Sequence, residues 1–403
     1  MGGIRLMKSN DYKKIIDESL NNCANPHIGT IIKRRRHTLN MTLDETSKGI
    51  CCISYLSKIE HGTIVPKKYI LNEVLERLEI KEENLRSKKE YVSLINECLM
   101  CYYYKKKNTI IEIFESISDV ENIHYTDIIK AIYYFTKNNL EKSEKFLNNA
   151  LIVKKDLEQE ELYACIILTS LLLEKKSKYK EALEILKTIE HIYVGNVEIE
   201  KLKLSLIARI YIVLGKYLSL ANILIRYEDL CLKTVDFDGV LFVKKHLCMS
   251  LALSKDEEGA LDLYDTISKT MNDNSKSFLK QIYIYLRKPN ELLKIDNLTD
   301  LEKLWAYNLL KEKNECIAIL DKIKVLEIKN EKDRLFVESM MKRYYENEYF
   351  YIIYLKEIYY PYLLEHGFYE EAKNIKSILF DYLILEAKYK DAVKVERDFN
   401  KMF

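Results

Sequence analysis

Apolar and polar positions recur with a helical period in residues 42–62, and the polar positions carry the signals that begin and end helices. Thr42 and Glu45 have the S/T-x-x-E spacing of a capping box, which predicts that a helix begins at Leu43. Gly49 lies about one and a half turns further on and is expected to end that helix. This segment therefore begins with one short helix and a tight turn.

A second short helix is predicted after that turn, from about Ile53 to His61, with Leu56 and Ile59 facing inward. Gly62 follows it and is a typical helix-stopping residue. A third amphipathic helix is predicted at Tyr69–Leu78. Two short helices that are joined by a tight turn and flanked by supporting helices are typical of a helix-turn-helix.

A repeated spacing organises the chain further on. Four small residues are spaced 39 positions apart: Ser143, Ala182, Ala221 and Ala260. Each of them has a large apolar residue nine positions before it and two more at three and four positions after it. This pattern predicts helical hairpins in which the small residue is buried where two helices approach closely. A period of about 34–40 residues with this content is typical of a tetratricopeptide-like α-solenoid.

The 39-residue spacing stops after Ala260, but weaker hairpins are predicted to continue to the end of the sequence. They lie at 275–295, at 298–323 and from 331 onward. The last of these regions contains a long aromatic helix, 349–364. Pro361 is expected to kink it, because proline removes a backbone donor and clashes with the preceding turn.

Composition supports a helical chain. The 403 residues include only 10 glycines and 4 prolines, although sheets and tight βα turns need both as turn residues. We therefore predict an all-α protein, with an N-terminal helix-turn-helix domain followed by a tetratricopeptide-like α-solenoid. The expected divisions are an N-terminal extension at 1–26, a helix-turn-helix domain at 27–80, a linker at 81–90 and a helical repeat domain at 91–403.

Charge is unevenly distributed along the chain. The whole chain has a net charge of only +2. Residues 27–68 contain eight lysines and arginines but three acidic residues, which gives them a local net charge of +5. One basic segment in a chain of low net charge indicates a dedicated contact with a polyanion.

Motifs for catalysis, metal binding or membrane insertion do not occur. The sequence has no Walker, GxGxxG, GxSxG or HExxH motif, and Cys98–Cys101 is a lone CxxC, so we predict no enzyme, no metal site and no cofactor. The longest apolar stretch, Tyr163–Leu173, is too short to span a membrane. Nine scattered cysteines favour a reduced, cytoplasmic protein.

The segment TLDETSKGICCISYLSKIEHG, at residues 42–62, resembles helix-turn-helix domains of the Xre/Cro type. Its T…GIC…SYLSKIE…G spacing is similar to that of the peptide-responsive regulators of Gram-positive bacteria, the Rap/Rgg/NprR/PlcR/PrgX family. In that family a tetratricopeptide solenoid follows this domain. The resemblance covers residues 28–80 by motif and residues 90–400 by architecture.

The resemblance implies roles for individual residues. Arg36 and Glu60 correspond to a structural ion pair, and Thr42 corresponds to a capping residue that touches a phosphate. Leu43 departs from the glutamine that is usual at its position, so one backbone contact is missing. Together with the basic pattern, the resemblance predicts that the following residues contact DNA: Lys33, Arg34, Thr42, Ile53, Ser54, Tyr55, Ser57, Lys58 and Lys67.

We therefore expect a transcriptional regulator that binds double-stranded operator DNA as a homodimer. The solenoid would supply the dimer contacts and, as the resemblance implies, a groove for a short signalling peptide. Polar side chains on the first helices of the hairpins are the candidate peptide contacts: Lys203, Arg209, Lys244 and Asn308.

A second function stays open from the sequence. As in Rap-type relatives, the solenoid would then be a scaffold that binds and inhibits a signalling protein, with DNA binding secondary. Salt dependence separates the two functions, because an operator binder loses affinity steeply with salt yet keeps a preference for one site.

Overall fold

The computed structural model describes residues 27–80, 88–117, 124–152, 157, 159–192, 195–271 and 275–401. These residues form helices and turns and contain no strand. The predicted N-terminal extension at 1–26 and most of the predicted linker at 81–90 lie outside them. The all-α prediction is confirmed for the described part of the chain.

Residues 27–80, called the head below, form four helices: α1 (His27–Thr38), α2 (Leu43–Ser47), α3 (Ile53–Glu60) and α4 (Lys68–Arg77). The predicted capping box begins α2, because the Thr42 hydroxyl accepts from the Glu45 amide at 3.2 Å. The inward face of α3 packs closely on α1 at Gly29. A Cβ at Gly29 would lie 1.9 Å from the carbonyl oxygen of Ile59, so only glycine allows this approach.

The other described residues form successive helices, most of them paired as hairpins. They are α5 (Lys88–Tyr103), α6 (Lys107–Ser116), α7 (His124–Thr136), α8 (Leu140–Ile152), α9 (Gln159–Lys175), α10 (Tyr179–Lys187), α11 (Val197–Val213), α12 (Tyr217–Lys233), α13 (Phe237–Leu253), α14 (Glu257–Ser268), α15 (Ser275–Leu286), α16 (Pro289–Leu293), α17 (Asp300–Leu310), α18 (Lys313–Leu320), α19 (Glu331–Met341), α20 (Glu348–Tyr354), α21 (Tyr360–His366), α22 (Tyr369–Leu385) and α23 (Tyr389–Asn400). The hairpins expected after Ala260 are present.

One turn geometry recurs in these hairpins. A residue with positive φ lies two positions before the second helix, and the next amide donates to a carbonyl five residues earlier, as Asn139 does to Tyr134 at 2.9 Å. Gly215 takes this place between α11 and α12, with φ of 66°. A Cβ there would lie 2.2 Å from the ring of Tyr369, so this turn needs glycine for space as well as for conformation.

The predicted repeat is right at three of its four small residues. Each of the three is the buried fourth residue of its helix: Ser143, Ala182 and Ala260. Ala221 contradicts the prediction, because it is exposed and Leu220 is the buried fourth residue of α12. Since α10 begins at Tyr179 and α12 at Tyr217, the hairpin there is 38 residues long, one residue shorter than the period.

The aromatic helix expected at 349–364 is interrupted. α20 is followed by a π-helical turn, Leu355–Tyr359, and α21 then begins with Pro361 in its first turn. The wider π turn frees the backbone just before the proline, where a regular helix would clash. A second π turn, Lys342–Glu346, and a short 3-10 turn, Val325–Glu327, lie on either side of α19.

Contacts divide the chain into two compact units. The first comprises the described residues up to Ser177 together with Glu181–Lys203, and so includes the head and its neighbouring hairpins. The second comprises Lys178–Lys180 and the described residues from Leu204 onward. Within the second unit, α12 and α22 meet, because the Tyr217 hydroxyl donates to Glu370 at 2.8 Å.

Candidate DNA-binding surface

The outer face of α3 is open to solvent. Ile53, Ser54 and Lys58 are exposed, and Tyr55 and Ser57 are half-buried. The opposite face is buried in the head, so the helix is fixed from one side and accessible from the other. The first turns of such a helix are the part that reaches base edges in helix-turn-helix proteins.

Arg77 of α4 holds the turn between α2 and α3. Its guanidinium donates to the carbonyl oxygens of Thr46, at 3.2 Å, and of Lys48. These carbonyls lie at the C-terminal end of α2, where a helix leaves acceptors without partners. No local spacing relates Arg77 to this turn, so sequence analysis missed its role.

A buried ion pair joins α1 to the end of α3. Arg36 donates from Nε to Oε1 of Glu60 at 2.7 Å and from Nη2 to Oε2 at 2.9 Å. Arg36 also donates to the carbonyl of Met41 at 2.9 Å. The bond to Glu60 raises the pKa of Arg36 above its usual value. The structural role that the resemblance implied for this pair is present in the geometry.

Arg34 was predicted to contact a DNA phosphate, but in the structure its guanidinium has partners within the chain. Its Nη1 donates to Oδ2 of Asp127 at 2.9 Å, and its Nη2 donates to the carbonyl of Asn149 at 3.1 Å. Burial raises the pKa of Asp127, and the Arg34 charge opposes that shift. Because acceptors within the chain hold this guanidinium, we leave Arg34 out of the DNA surface. It instead links α1 to α7 and α8.

Thr42 is also engaged within the head. Its hydroxyl donates to Oε2 of Glu45 at 2.8 Å, and its amide donates to the same oxygen at 2.6 Å. These bonds, the one from the amide first, lower the pKa of Glu45. Thr42 remains exposed at the beginning of α2, and its contact with a phosphate stays a prediction.

Three lysines supply positive charge around α3. Lys58 and Lys67 are exposed, Lys33 is half-buried, and within the described residues none of them forms an ion pair. The Tyr55 hydroxyl accepts from the Lys67 amide at 3.4 Å, which keeps Lys67 next to α3. Their contact with DNA phosphates stays a prediction.

The cysteines fall into two environments. Cys52 is the exposed N-cap residue of α3, and the nearby Ser54 hydroxyl, 3.3 Å from its sulfur, lowers the pKa of the thiol. Burial raises the pKa of Cys51. Cys98 and Cys101 are buried on α5, and burial raises the pKa of both, as expected of core residues one turn apart.

The structure contradicts the prediction that Lys203 contacts a peptide. It is fully buried, with Nζ 2.8 Å from Glu200, and it donates to the carbonyls of Ile189 and Ile192, both at 3.3 Å. These carbonyls lie in the turn that follows α10. Lys203 therefore anchors the turn after α10 and is withdrawn as a peptide contact.

Asn308 and Lys244 are also bound within the chain. The Asn308 side-chain oxygen accepts from Arg343 Nη1 at 3.1 Å and from the Tyr344 hydroxyl at 2.9 Å. Lys244 is half-exposed and pairs with Glu228 at 2.8 Å. Asn308 therefore has a structural role, whereas Lys244 remains accessible to a ligand.

Arg209 lies in the second unit, where its charge and that of Lys245 act on His246. The sequence gave no sign that these three residues interact. Nearby His246 donates from Nδ1 to the Phe242 carbonyl at 2.9 Å. Burial lowers the pKa of His246 to about 4, and the charges of Arg209 and Lys245 add to that shift. His246 is therefore neutral at neutral pH, and Arg209 and Lys245 are the cations near it.

The described part of the chain contains neither a metal-binding group nor a membrane-spanning helix. It contains no group of three or more histidine, cysteine, aspartate or glutamate side chains placed to hold a metal ion. No helix in it is both long enough and apolar enough to cross a membrane.

Comparisons with known proteins give structural matches only: no protein-family model matches the sequence, and no curated protein does. One match is PlcR of Bacillus thuringiensis in complex with the peptide PapR7 and DNA, with 16% identity, 67% of this chain and 100% of that chain covered, and a TM-score of 0.37. Another is the apo form of the competence regulator ComR from Streptococcus vestibularis, with 13% identity, 72% and 97% covered, and a TM-score of 0.37. ComR from S. thermophilus, in complex with DNA and its signalling peptide ComS, matches with 15% identity, 66% and 97% covered, and a TM-score of 0.32.

Proposed function

We propose that this chain is a sequence-specific DNA-binding transcriptional regulator rather than an enzyme. One observation carries the proposal: the exposed face of α3, with Ile53, Ser54 and Lys58, is held by a rigid support. That support is the Arg36–Glu60 pair beneath the helix and the Arg77 guanidinium at the turn before it. A pre-positioned helix with an open face is suited to the major groove.

In this proposal the lysines and the α3 face have different tasks. Lys33, Lys58 and Lys67, with Thr42, contact phosphates, which gives affinity and register but carries no sequence information. Ser54 and Ser57 offer hydroxyl groups to base edges. Ile53 and Tyr55 offer apolar contact to a thymine methyl or to the sugar-phosphate backbone.

The chain acts as a homodimer in this proposal, so that two copies of α3 enter successive major grooves about 34 Å apart. The domain division at 27–80, 81–90 and 91–403 is part of the same proposal. The helical repeats supply the contacts between the copies.

A short signalling peptide is the proposed effector, bound by the helical repeats in the cytoplasm. Arg209, Lys244 and Lys245 lie on α11 and α13 and provide cations for a peptide carboxylate. For the peptide to change DNA binding, it must bind one arrangement of the dimer better than the other.

The function is tested by sequencing the genomic DNA fragments that the purified full-length protein retains. We expect one enriched motif with two related half-sites, and an affinity that falls linearly on a log–log plot against salt. A matched fragment with a scrambled motif is the control and should bind at least about 1,000-fold more weakly.

Retention of fragments without an enriched motif contradicts the proposal. If the protein then forms a stable complex with a signalling protein, the scaffold function is the correct one.

A further inference from the structure

The turn between α21 and α22 contacts parts of the second unit that are far from it in sequence. Lys180 donates from Nζ to the Leu364 carbonyl at 2.9 Å, across 184 positions. The bond from Tyr217 to Glu370 spans 153 positions. Because the hairpins of a solenoid contact mainly their neighbours, these bonds lie outside the ordinary stacking of the repeats.

Two glycines take part in this contact, one in each of two turns. A Cβ at Gly215, between α11 and α12, would enter the ring of Tyr369. A Cβ at Gly367, between α21 and α22, would enter the side chain of Leu214. Each turn thus leaves room for a side chain of the other turn.

Backbone conformation alone does not explain these glycines. Other hairpins make the same turn with a different residue at the positive-φ position: Asn138, Ser177, Lys255, Arg287 and Lys311. Glycine takes that position at 215 and 367, and these are the two turns that meet. We therefore attribute both glycines to the space that the contact requires.

Directed contacts surround the two glycines. The Tyr217 hydroxyl donates to Glu370 at 2.8 Å, and burial raises the pKa of Tyr217, with the charge of Glu370 adding to that shift. The rings of Tyr179 and Phe368 meet edge to face, with their centroids 5.5 Å apart. The contact therefore has a closely packed centre with hydrogen bonds at its margin, which favours one arrangement of the two turns.

Further bonds join the beginning of α22 to other hairpins of the same unit. Arg287, in the turn between α15 and α16, donates to the side-chain oxygen of Asn374 at 2.9 Å. Lys332, on α19, donates to Glu371 at 2.6 Å. α22 is thus bonded to elements from near the beginning and from the middle of the second unit.

We infer that the turns at 214–217 and 364–370 form a clasp, which holds the second unit closed and opens without unfolding its hairpins. Only residues in and beside these turns form the contact, whereas each hairpin is stabilised by packing on its neighbours. Opening is therefore a local event that costs less free energy than global unfolding. The closed clasp sets the spacing of the hairpins that lie between its two turns.

The clasp lies at the end of a helix that carries a proposed effector contact. Arg209 is six residues before Gly215, which is about 9 Å along α11 and the turn that follows it. A ligand that draws Arg209 to one side tilts α11 and moves Leu214 away from Gly367. This use of the clasp, as the element that an effector opens, rests on the proposed function, whereas the clasp itself does not.

Hydrogen exchange of the full-length protein without DNA, read by mass spectrometry, tests the clasp. Gly215→Ala should speed exchange at least about tenfold in α21 and the first turns of α22, and leave α13 and α14 at native rates. Gly195→Ala is the matched control, because Gly195 also has a positive φ, 76°, but a Cβ there would meet nothing within 4 Å. It should leave exchange in α21 and α22 unchanged.

A combined variant shows whether the effect comes from the contact between the turns. Tyr369→Ala removes the ring that the new Cβ would enter, so adding Gly215→Ala to it should cause no further increase in exchange. Independent, additive increases would mean that Gly215→Ala acts through its own turn, and they would overturn the inference.

A milder pair of variants decides the inference if Gly215→Ala does not fold. Tyr217→Phe removes only the hydroxyl that donates to Glu370, and it should speed exchange in the same segments about two- to tenfold. Tyr389→Phe, on α23, is the control, since Tyr389 is 61% exposed.

Equal exchange in Tyr217→Phe and its control, or an equal increase in α13 and α14, would show that there is no separate clasp. Because these measurements use no DNA, selection of a DNA motif decides the proposed function separately.

Discussion

Arg34 and Arg36 lie two residues apart on α1 but have different partners. Arg36 is buried with Glu60, and both charges are satisfied by two short hydrogen bonds. Arg34 reaches Asp127 and the Asn149 carbonyl outside the head. Both arginines are thus held by acceptors within the chain, although the charge pattern of the basic segment around them gave no sign that these two charges have partners.

Replacing Arg36 by alanine should lower the free energy of unfolding by about 3–5 kcal/mol, because Glu60 would be left as a buried charge without a partner. Denaturant unfolding of the full-length protein, followed by circular dichroism, measures this. Lys33→Ala is the control and should change the midpoint little, since Lys33 has no ion pair within the described residues. An unchanged midpoint for Arg36→Ala would show that the pair does not stabilise the head.

Cys52 should be the first of the described cysteines to react with iodoacetamide. It is exposed, and its lowered pKa leaves more thiolate near neutral pH than an ordinary cysteine has. As the pH falls from 8 to 6, the alkylation rate at Cys52 should fall less than that of free cysteine. Peptide mass spectrometry at several pH values measures the rates. Faster labelling at buried Cys98 or Cys248 would contradict this assignment.

At the scale of the element, α3 shows how a short helix is positioned. It has eight residues and no side-chain cap at its N-terminus, so it depends on its buried face and on its neighbours. Gly29 allows α1 to approach it, and Arg77 fixes the preceding turn. The helix is therefore rigid only as part of the head.

Lys58→Ala should weaken DNA binding without affecting folding, because Lys58 is exposed on α3. Loss of a phosphate contact should reduce the slope of log affinity against log salt by about one, whereas loss of a bidentate base contact should cost about 1–3 kcal/mol. Fluorescence anisotropy with the selected DNA site measures both. Lys107→Ala, an exposed lysine on α6, is the control. Equal binding by both variants at every salt concentration would remove Lys58 from the surface.

The fourth residue of each second helix gives a matched pair of substitutions. Ala260→Leu should destabilise the protein by about 1–3 kcal/mol, because a larger side chain must enter the closed contact between α13 and α14. Ala221→Leu should be close to neutral, because Ala221 is exposed. Thermal unfolding measures both. Equal losses of stability would mean that the two alanines occupy equivalent positions after all.

At the scale of the whole molecule, contacts separate two compact units, and the head and α14 belong to different ones. Helical repeats interact mainly with their neighbours, so damage at one hairpin spreads along the stack before it reaches distant elements. We therefore expect each unit to have its own local stability.

Ala260→Leu should increase hydrogen exchange in α13, α14 and α15 and leave the amides of α1–α4 unchanged. Hydrogen exchange of the full-length protein, read by mass spectrometry, measures this difference. DNA affinity at matched salt should also stay within about twofold of the native value, since the head lies in the other unit. Faster exchange in the head to the same extent would show that the two units unfold as one.

The sequence by itself determined the features that depend on residues close to each other along the chain. The capping box at Thr42 and the inward positions of Leu56 and Ile59 follow from spacing within one or two turns of helix. The helical hairpins follow from a spacing that repeats along the chain. The α3 surface residues could be named for the same reason, with the help of the family resemblance.

Features that depend on distant residues were decided by the tertiary structure. The sequence predicted that Lys203 lies in a peptide-binding groove, but it donates to carbonyls after α10 and is buried in the core. Arg34 was predicted to contact DNA, but it donates to Asp127, which lies 93 positions further along the chain. Ala221 is exposed because one hairpin is a single residue shorter, and one residue turns a helix by about 100°, which moves a core position to the surface. Spacing along a helix therefore determines which residues share a face, whereas the packing of the helices determines whether that face is covered.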